Sequence, residues 1–206
     1  MGGNAVVNDG QRQVPRSSAQ VPRSSAQDDA RLISRIRARD RRAFEELYRN
    51  YHPRLTRFLI NLIHRPQLVE EVFNDTMMVV WERPDSYSGA SKLSTWIFAI
   101  AYRKAMKALR RQDQPVEDRD AETRASPDAG PDQELHQQWA QTALFSAIGE
   151  LSPDHRAVVN LTYFQEVSYR EIAEIMDCPV DTVKSRMFHA RRHLKRKLAG
   201  ELADWV

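Results

Sequence analysis

Residues 168–186 read SYREIAEIMDCPVDTVKSR, and this stretch decides the fold. Ser168 and Glu171, three positions apart, form a capping box: the serine hydroxyl satisfies a backbone N–H of the first turn, and the glutamate reaches back to the N–H of the serine. Ile172, Ala173, Ile175 and Met176 then make a short apolar helix. Asp177-Cys178-Pro179 ends it, because the residue before a proline is pushed out of helical angles, and Pro179 is well placed to open the next helix. That helix carries Val183, Met187, Ala190, Leu194 and Leu198 on one apolar stripe. Its other faces hold Lys184, Arg186, Arg191, Arg192, Lys195, Arg196 and Lys197 against Asp181 alone, a net +6 over residues 180–200. A short capped helix, a tight turn and a long basic helix make a helix-turn-helix, whose second helix enters the DNA major groove while its cations displace counterions from phosphates. A helical hairpin with a merely solvated basic face is the competing reading. The capping box, the turn proline and the stripe in register favour DNA binding.

Working outward, Ser152-Pro153-Asp154 supplies an N-cap, a proline at the first helical position and an acid in the first turn. A helix is therefore expected from there to about Phe164. Further upstream, between Gln112 and Glu134, eight acids face two arginines, a net −6, and Pro115, Pro127, Gly130 and Pro131 argue against regular structure. This segment reads as an interdomain linker. The chain thus divides into a tail (1–27), a first domain (28–111), an acidic linker (112–134) and a second domain (135–206). The tail repeats VPRSSAQ at residues 14–20 and 21–27 and lacks the apolar content to offset its chain entropy. It is expected to be disordered.

The first domain also reads as helical throughout. Phe44, Leu47, Tyr48 and Tyr51, then Leu55, Phe58, Leu59 and Leu62, each follow an i, i+3, i+4, i+7 spacing, which predicts two amphipathic helices hinged near Pro53. Val69, Val72, Phe73, Thr76, Met77, Val80 and Trp81 make a third stripe, stopped by Pro84. After a turn-rich segment, Asp85–Ser91, a fourth helix is expected over Leu93–Arg111. It carries a basic ridge of Arg103, Lys107 and Arg110, flanked by Lys104 and Arg111. Just upstream stand Tyr87, Lys92 and Trp96. Aromatics interleaved with cations suit unstacked bases and a single-stranded backbone. Trp96 serves equally as a core anchor, and for Trp81 the core reading is preferred. No alternating strand pattern occurs, so the fold class is all-α: two small helical domains, the C-terminal one a helix-turn-helix.

Composition excludes most other classes. With 206 residues the chain suits two small domains rather than one large enzyme core, and its net charge of +3 means that any strongly basic surface is local. Seven glycines leave no phosphate-wrapping loop. The lone Cys178 excludes an intramolecular disulfide and a cysteine-rich zinc site, and points to a reducing compartment. His52, His64, His136, His155, His189 and His193 show no metal-ligand spacing, and no nucleophile stands with a base in a recognisable motif, so no cofactor, metal or catalytic residue is expected. No stretch approaches the roughly 20 apolar residues of a membrane span, and the expected location is cytoplasmic.

The segments RAFEELY (42–48), VEEVFNDT (69–76) with Trp81, LSTWIFAIA (93–101) with Leu109-Arg-Arg111, SYREIA (168–173) and PVDTVKSR (179–186) together resemble the bacterial RNA polymerase sigma factors of the extracytoplasmic-function type. The resemblance implies a sigma domain 2 and a sigma domain 4 with no domain between them, and a protein that binds core polymerase, directs it to promoters and helps melt the minus-ten element. It implies that Glu71, Asn74, Asp75 and Met78 meet the clamp helices of the beta-prime subunit. The Asp85–Ser94 loop and the basic helix would hold the minus-ten strand through Tyr87, Lys92, Trp96, Arg103, Lys104, Lys107 and Arg110. Domain 4 would sit on the beta flap and read the minus-35 duplex through Ser168, Tyr169, Arg170, Pro179, Asp181, Lys184, Ser185, Arg186, Phe188, His189 and Arg192. An anti-sigma protein masking the polymerase-binding faces is a further implied partner.

The chain departs from the family pattern at Asp181, where glycine is usual, and at Arg103, where asparagine is expected. An acid at the start of the recognition helix suits the helix dipole, repels nearby phosphate, and can accept from a cytosine amino group. Arg170 stands where an acid is frequent and adds a phosphate contact. The acidic linker has the charge to occupy a nucleic-acid path. The alternative to the family reading is a stand-alone helix-turn-helix regulator of duplex DNA, which leaves the aromatic loop and the acidic helix face of the first domain without a task.

Overall fold

A computed structural model describes residues 26–112 and 142–203, and among these every regular element is helical. The first unit contains α1 (Ala26–Arg37), α2 (Arg41–Ile63), α3 (Pro66–Glu82), a single 3₁₀ turn (Pro84–Ser86) and α4 (Leu93–Gln112). The second contains α5 (142–149), α6 (Pro153–Tyr163), α7 (Tyr169–Met176) and α8 (Val180–Ala203). Residues 1–25 of the repeat tail and 113–134 of the acidic linker lie outside the described residues; α1 begins at Ala26, two residues inside the tail expected to be disordered, and α4 runs one residue into the linker, to Gln112.

Local chemistry starts and stops these helices where the sequence places its signals. Asp40 caps α2 by accepting from the N–H groups of Arg42 and Ala43. Ser152 caps α6, with Pro153 in its first turn. Around α7 both halves of the capping box are made, and Asp177 closes the helix in the left-handed region at φ 50°, its N–H bonding back to Ala173. Such a residue ends a helix by turning the chain while satisfying a terminal carbonyl.

One expectation is corrected. The chain does not hinge at Pro53: α2 is a single helix of 23 residues running through it. Pro53 is exposed, whereas Leu47, Tyr51, Leu55, Phe58, Leu59 and Leu62 are all buried along one uninterrupted face. A proline inside a helix costs roughly 3 kcal/mol, and a face of six buried side chains at about 1.5–3 kcal/mol each outweighs that.

The buried residues of both units form one contiguous core, running from Leu32 and Leu47 through Phe58 and Phe98 to Ile172, Val183 and Ala190. Helices α2 and α4 are its centre. Within the first unit they pack on each other and on α3, and outward they receive α6 and α7 of the second unit. Helix α8 lies on α6 and α7, its stripe residues Val183, Met187 and Ala190 buried. Helix α8 is thereby held at the surface with its basic faces outward.

Candidate nucleic-acid interface

Helix α8 presents a continuous exposed face. Asp181, Lys184, Ser185, Phe188, His189 and Arg192 are all exposed, with Pro179 just ahead of them, and their spacing follows the turns of the helix. Phe188 is 62 % exposed and sits edge-on to His189, ring centres 5.5 Å apart. A large exposed apolar ring on a basic helix is suited to a thymine methyl. Asp181 pairs with Lys184 at 2.9 Å, so the unusual acid engages the first cation of the helix.

Arg186 does not share that face. It is half-buried, donates to Asp154 of α6, and lies 3.7 Å from the Cys178 sulfur. Of the residues expected from the preceding helix, Ser168 is spent on its cap, bonding Glu171 through its hydroxyl at 2.7 Å. Tyr169 is half-buried, and Arg170 is exposed.

Beside this face lies a shallow depression of about 300 Å³, lined by Glu150 and Leu151, by Ser152 and His155 at the start of α6, and by His189, Arg192, His193 and Arg196 of α8; Glu150 pairs with Lys197 at 2.6 Å. Partial burial pushes the His155 imidazole below its ordinary pKa, and His189 and Arg186 push the same way, while Asp154 opposes them. Pattern reading of the sequence passed over His155, because its partner residues lie on another helix. It is a neutral ring poised beside cations, where a phosphate would favour its charged form.

The first unit brings the other set together around the loop that precedes α4. The Tyr87 and Trp96 rings lie 5.4 Å apart, and the Tyr87 hydroxyl donates to the Ser91 carbonyl at 2.8 Å. Trp96 packs against the core with part of its surface open, so it joins both readings. Gly89, at the loop tip, adopts φ +79°, a conformation that other residues rarely take. Arg37 anchors the loop to α1, donating to the Tyr87 carbonyl at 2.6 Å and pairing with Asp85 at 3.2 Å. Behind the loop, Arg103, Lys107 and Arg110 are exposed and make no ion pair among the described residues. Lys104 instead pairs with Asp75 at 2.9 Å, joining a residue expected to hold the minus-ten strand to one expected to face the polymerase. Glu71, Asn74, Asp75 and Met78 do lie on one exposed face of α3, with Met78 55 % exposed.

Lys92, at the end of the loop, reaches across to the second unit and pairs with Glu171 at 2.6 Å. Burial alone would push the Glu171 carboxyl up, but bonds from Lys92 and from Ser168 outweigh it and hold it below the usual range. Between loop and second unit lies a cavity of about 770 Å³, whose lining includes Arg54, Lys92, Phe98, Gln165 and Glu171. Nothing in the sequence pointed to this cavity, since each wall is contributed by a different unit. Among the described residues no cluster of His, Cys, Asp or Glu is placed to hold a metal, and no helix is long and apolar enough to cross a membrane.

Two family models match the chain. Residues 47–114 match the family model described as Sigma-70 region 2, and residues 141–194 match Sigma-70, region 4. The chain is 30% identical over 180 residues to an ECF RNA polymerase sigma-E factor of Haemophilus influenzae, covering 82% of this chain and 95% of that protein. It is 30% identical to the ECF RNA polymerase sigma factor RpoE of Cereibacter sphaeroides, over 78% of this chain and 89% of that one. Among solved structures it resembles the sigma factor RpoE of Bartonella quintana, determined with the anti-sigma factor NepR, at TM-score 0.60 and 25% identity, covering 76% of this chain and 96% of that one. The fold also matches CnrH, determined with the cytosolic domain of CnrY, at TM-score 0.62 and 21% identity, covering 84% and 98%.

Proposed function

The chain belongs to the extracytoplasmic-function sigma factors of RNA polymerase, and from that membership we propose how its parts share the work of directing the polymerase to promoters. Residues 28–111 act as domain 2 and residues 135–206 as domain 4, with 112–134 as the tether. The exposed face of α8, from Asp181 to Arg192, reads the minus-35 duplex in the major groove, and Arg170 and the His155 depression take the flanking phosphates. The Tyr87–Trp96 pair and the Arg103, Lys107 and Arg110 ridge receive the melted minus-ten strand. The α3 face around Glu71, Asn74 and Met78 meets the beta-prime clamp helices, and domain 4 meets the beta flap.

One observation carries this reading above all. The described residues present two exposed surfaces of different chemistry, a basic helix face suited to a major groove and an aromatic loop backed by a cationic ridge suited to a single strand. A stand-alone duplex binder has use for the first alone. The protein works without a cofactor and performs no catalysis itself, in keeping with a cytoplasmic subunit that lends its specificity to an enzyme. As with the Bartonella quintana relative, an anti-sigma partner is part of the proposal.

Reconstitution tests it directly. Addition of the chain to purified core polymerase is expected to give specific run-off transcripts from promoters selected out of a genomic fragment pool. Tight binding of promoter duplex without core, and no transcript with it, would instead support the stand-alone regulator.

A further inference from the structure

We propose that Asp181 is a specificity-determining residue of the duplex face: its carboxylate accepts from the amino group of one cytosine, while Lys184 balances the charge that an acid brings into the groove. The inference deepens the functional reading above and rests on it, because it takes α8 as the helix that lies in the major groove. In a helix-turn-helix the N-terminal residues of that helix meet the base edges. Asp181 is the second residue of α8, its side chain is 89 % exposed, and Ser185 and Phe188 stand on the same face four and seven positions on. The Lys184 ammonium donates to Asp181 Oδ1 at 2.9 Å, which leaves the lone pairs of Oδ2 to an outside donor.

The pattern of donors and acceptors in the groove selects the base. Guanine offers N7 and O6 there, and thymine offers O4, all of them acceptors that repel a carboxylate. Adenine has a donor at N6, but its N7 lies alongside as an acceptor. Cytosine offers an amino donor with no acceptor next to it, which is what a carboxylate oxygen needs. Phosphates on both walls of the groove repel a lone acid, and the pair with Lys184 removes that obstacle, since together the two side chains carry no net charge. Folding gives little reason for the pair, because an exposed ion pair of this kind contributes at most about 1 kcal/mol. The favourable effect of an acid on the helix dipole is the competing explanation, and it predicts no preference among bases.

The test is made on holoenzyme reconstituted from core polymerase and the full chain. A minus-35 element is selected with the wild type from a randomised pool, each position is then set to all four base pairs, and relative affinity is read by competition. The wild type is expected to prefer cytosine at one position by about tenfold. Asp181→Gly is expected to flatten that position and to leave the others unchanged, including the thymine that faces Phe188. Asp181→Asn is the sharper variant. An amide of the same shape bonds adenine through N6 and N7, so the preferred base at that position should move from cytosine to adenine. The side chain is exposed, so both variants are expected to keep the helical content of the wild type by circular dichroism. A selected element with no cytosine position, a cytosine preference that survives Asp181→Gly, or an Asp181→Asn variant that still prefers cytosine would overturn the assignment. Wild-type holoenzyme that selects no minus-35 element and gives no run-off transcript would instead strike the functional reading.

Discussion

At the scale of single residues, His155 and Asp181 each have a measurable consequence. In the free protein His155 is held below its ordinary pKa, chiefly by burial, so near neutral pH its ring is uncharged. A phosphate in the adjacent depression would raise that pKa, so duplex binding takes up a proton. Affinity is then expected to increase as pH falls from about 7.5 to about 6. Fluorescence anisotropy with a selected promoter duplex checks this, and His155→Gln should flatten the dependence; an equally steep profile in the variant would place the proton elsewhere. Asp181 neutralises Lys184 from three positions away. Although such an exposed pair adds little to stability, it withholds a cation from the DNA. Asp181→Ala is expected to steepen the dependence of log affinity on log salt by about 0.9, the contribution of one freed phosphate contact. A slope equal to the wild type's would mean that Lys184 does not reach the backbone.

At the scale of the element, α2 shows how a stripe of buried side chains overrides a local breaker. Pro53 removes one backbone donor and crowds the preceding turn, yet the helix continues because its buried face does. Since Pro53 is exposed, Pro53→Ala is expected to restore the missing bond and raise stability by about 1 kcal/mol or more, read as a higher midpoint in denaturant. A lower midpoint would show that the proline ring itself packs. Helix α7 illustrates the opposite case. It has only eight residues, too few to persist alone in water, and it holds its place through a capping box at one end, a left-handed Asp177 at the other, and Ile172 and Ile175 buried between.

At the scale of the whole molecule, the two units share one core rather than two. Ile175, on α7, is 1 % exposed, and α7 packs on α4 of the other unit. Thermal unfolding of the free chain is therefore expected as one calorimetric transition. Ile175→Ala, at a cost of about 2–5 kcal/mol, should lower that transition as a whole. Two separated transitions in the wild type, or a loss confined to one of them, would show that the units fold independently. The acidic segment 112–134, at −6, offsets the +6 of residues 180–200, which is why a chain with strongly basic stretches carries a net charge of only +3. Ion pairs also engage cations within each unit, Lys104 with Asp75 and Arg186 with Asp154, and Lys92 pairs with Glu171 between the two.

What the sequence determined by itself is everything that depends on near neighbours along the chain. The capping box at Ser168, the proline-led start of α6, the buried stripe of α8 and the basic ridge of α4 all follow from local spacing, because a helix brings residues three and four apart onto one face. The exposed faces of α3 and α8 were legible for the same reason. What only the tertiary structure decided depends on residues far apart in sequence. Asp154 joins Tyr102 to Arg186, Glu171 captures Lys92, and His155 stands beside Arg192 and Arg196 across two helices. Arg186 reads as a duplex contact by its position in the motif, and its half-buried place against Asp154 emerges only when α6 is laid against α8. Periodicity reports which side of a helix is buried; it carries no information about which helix does the burying, and in this protein that choice sets whether a cation such as Arg186 is free or held.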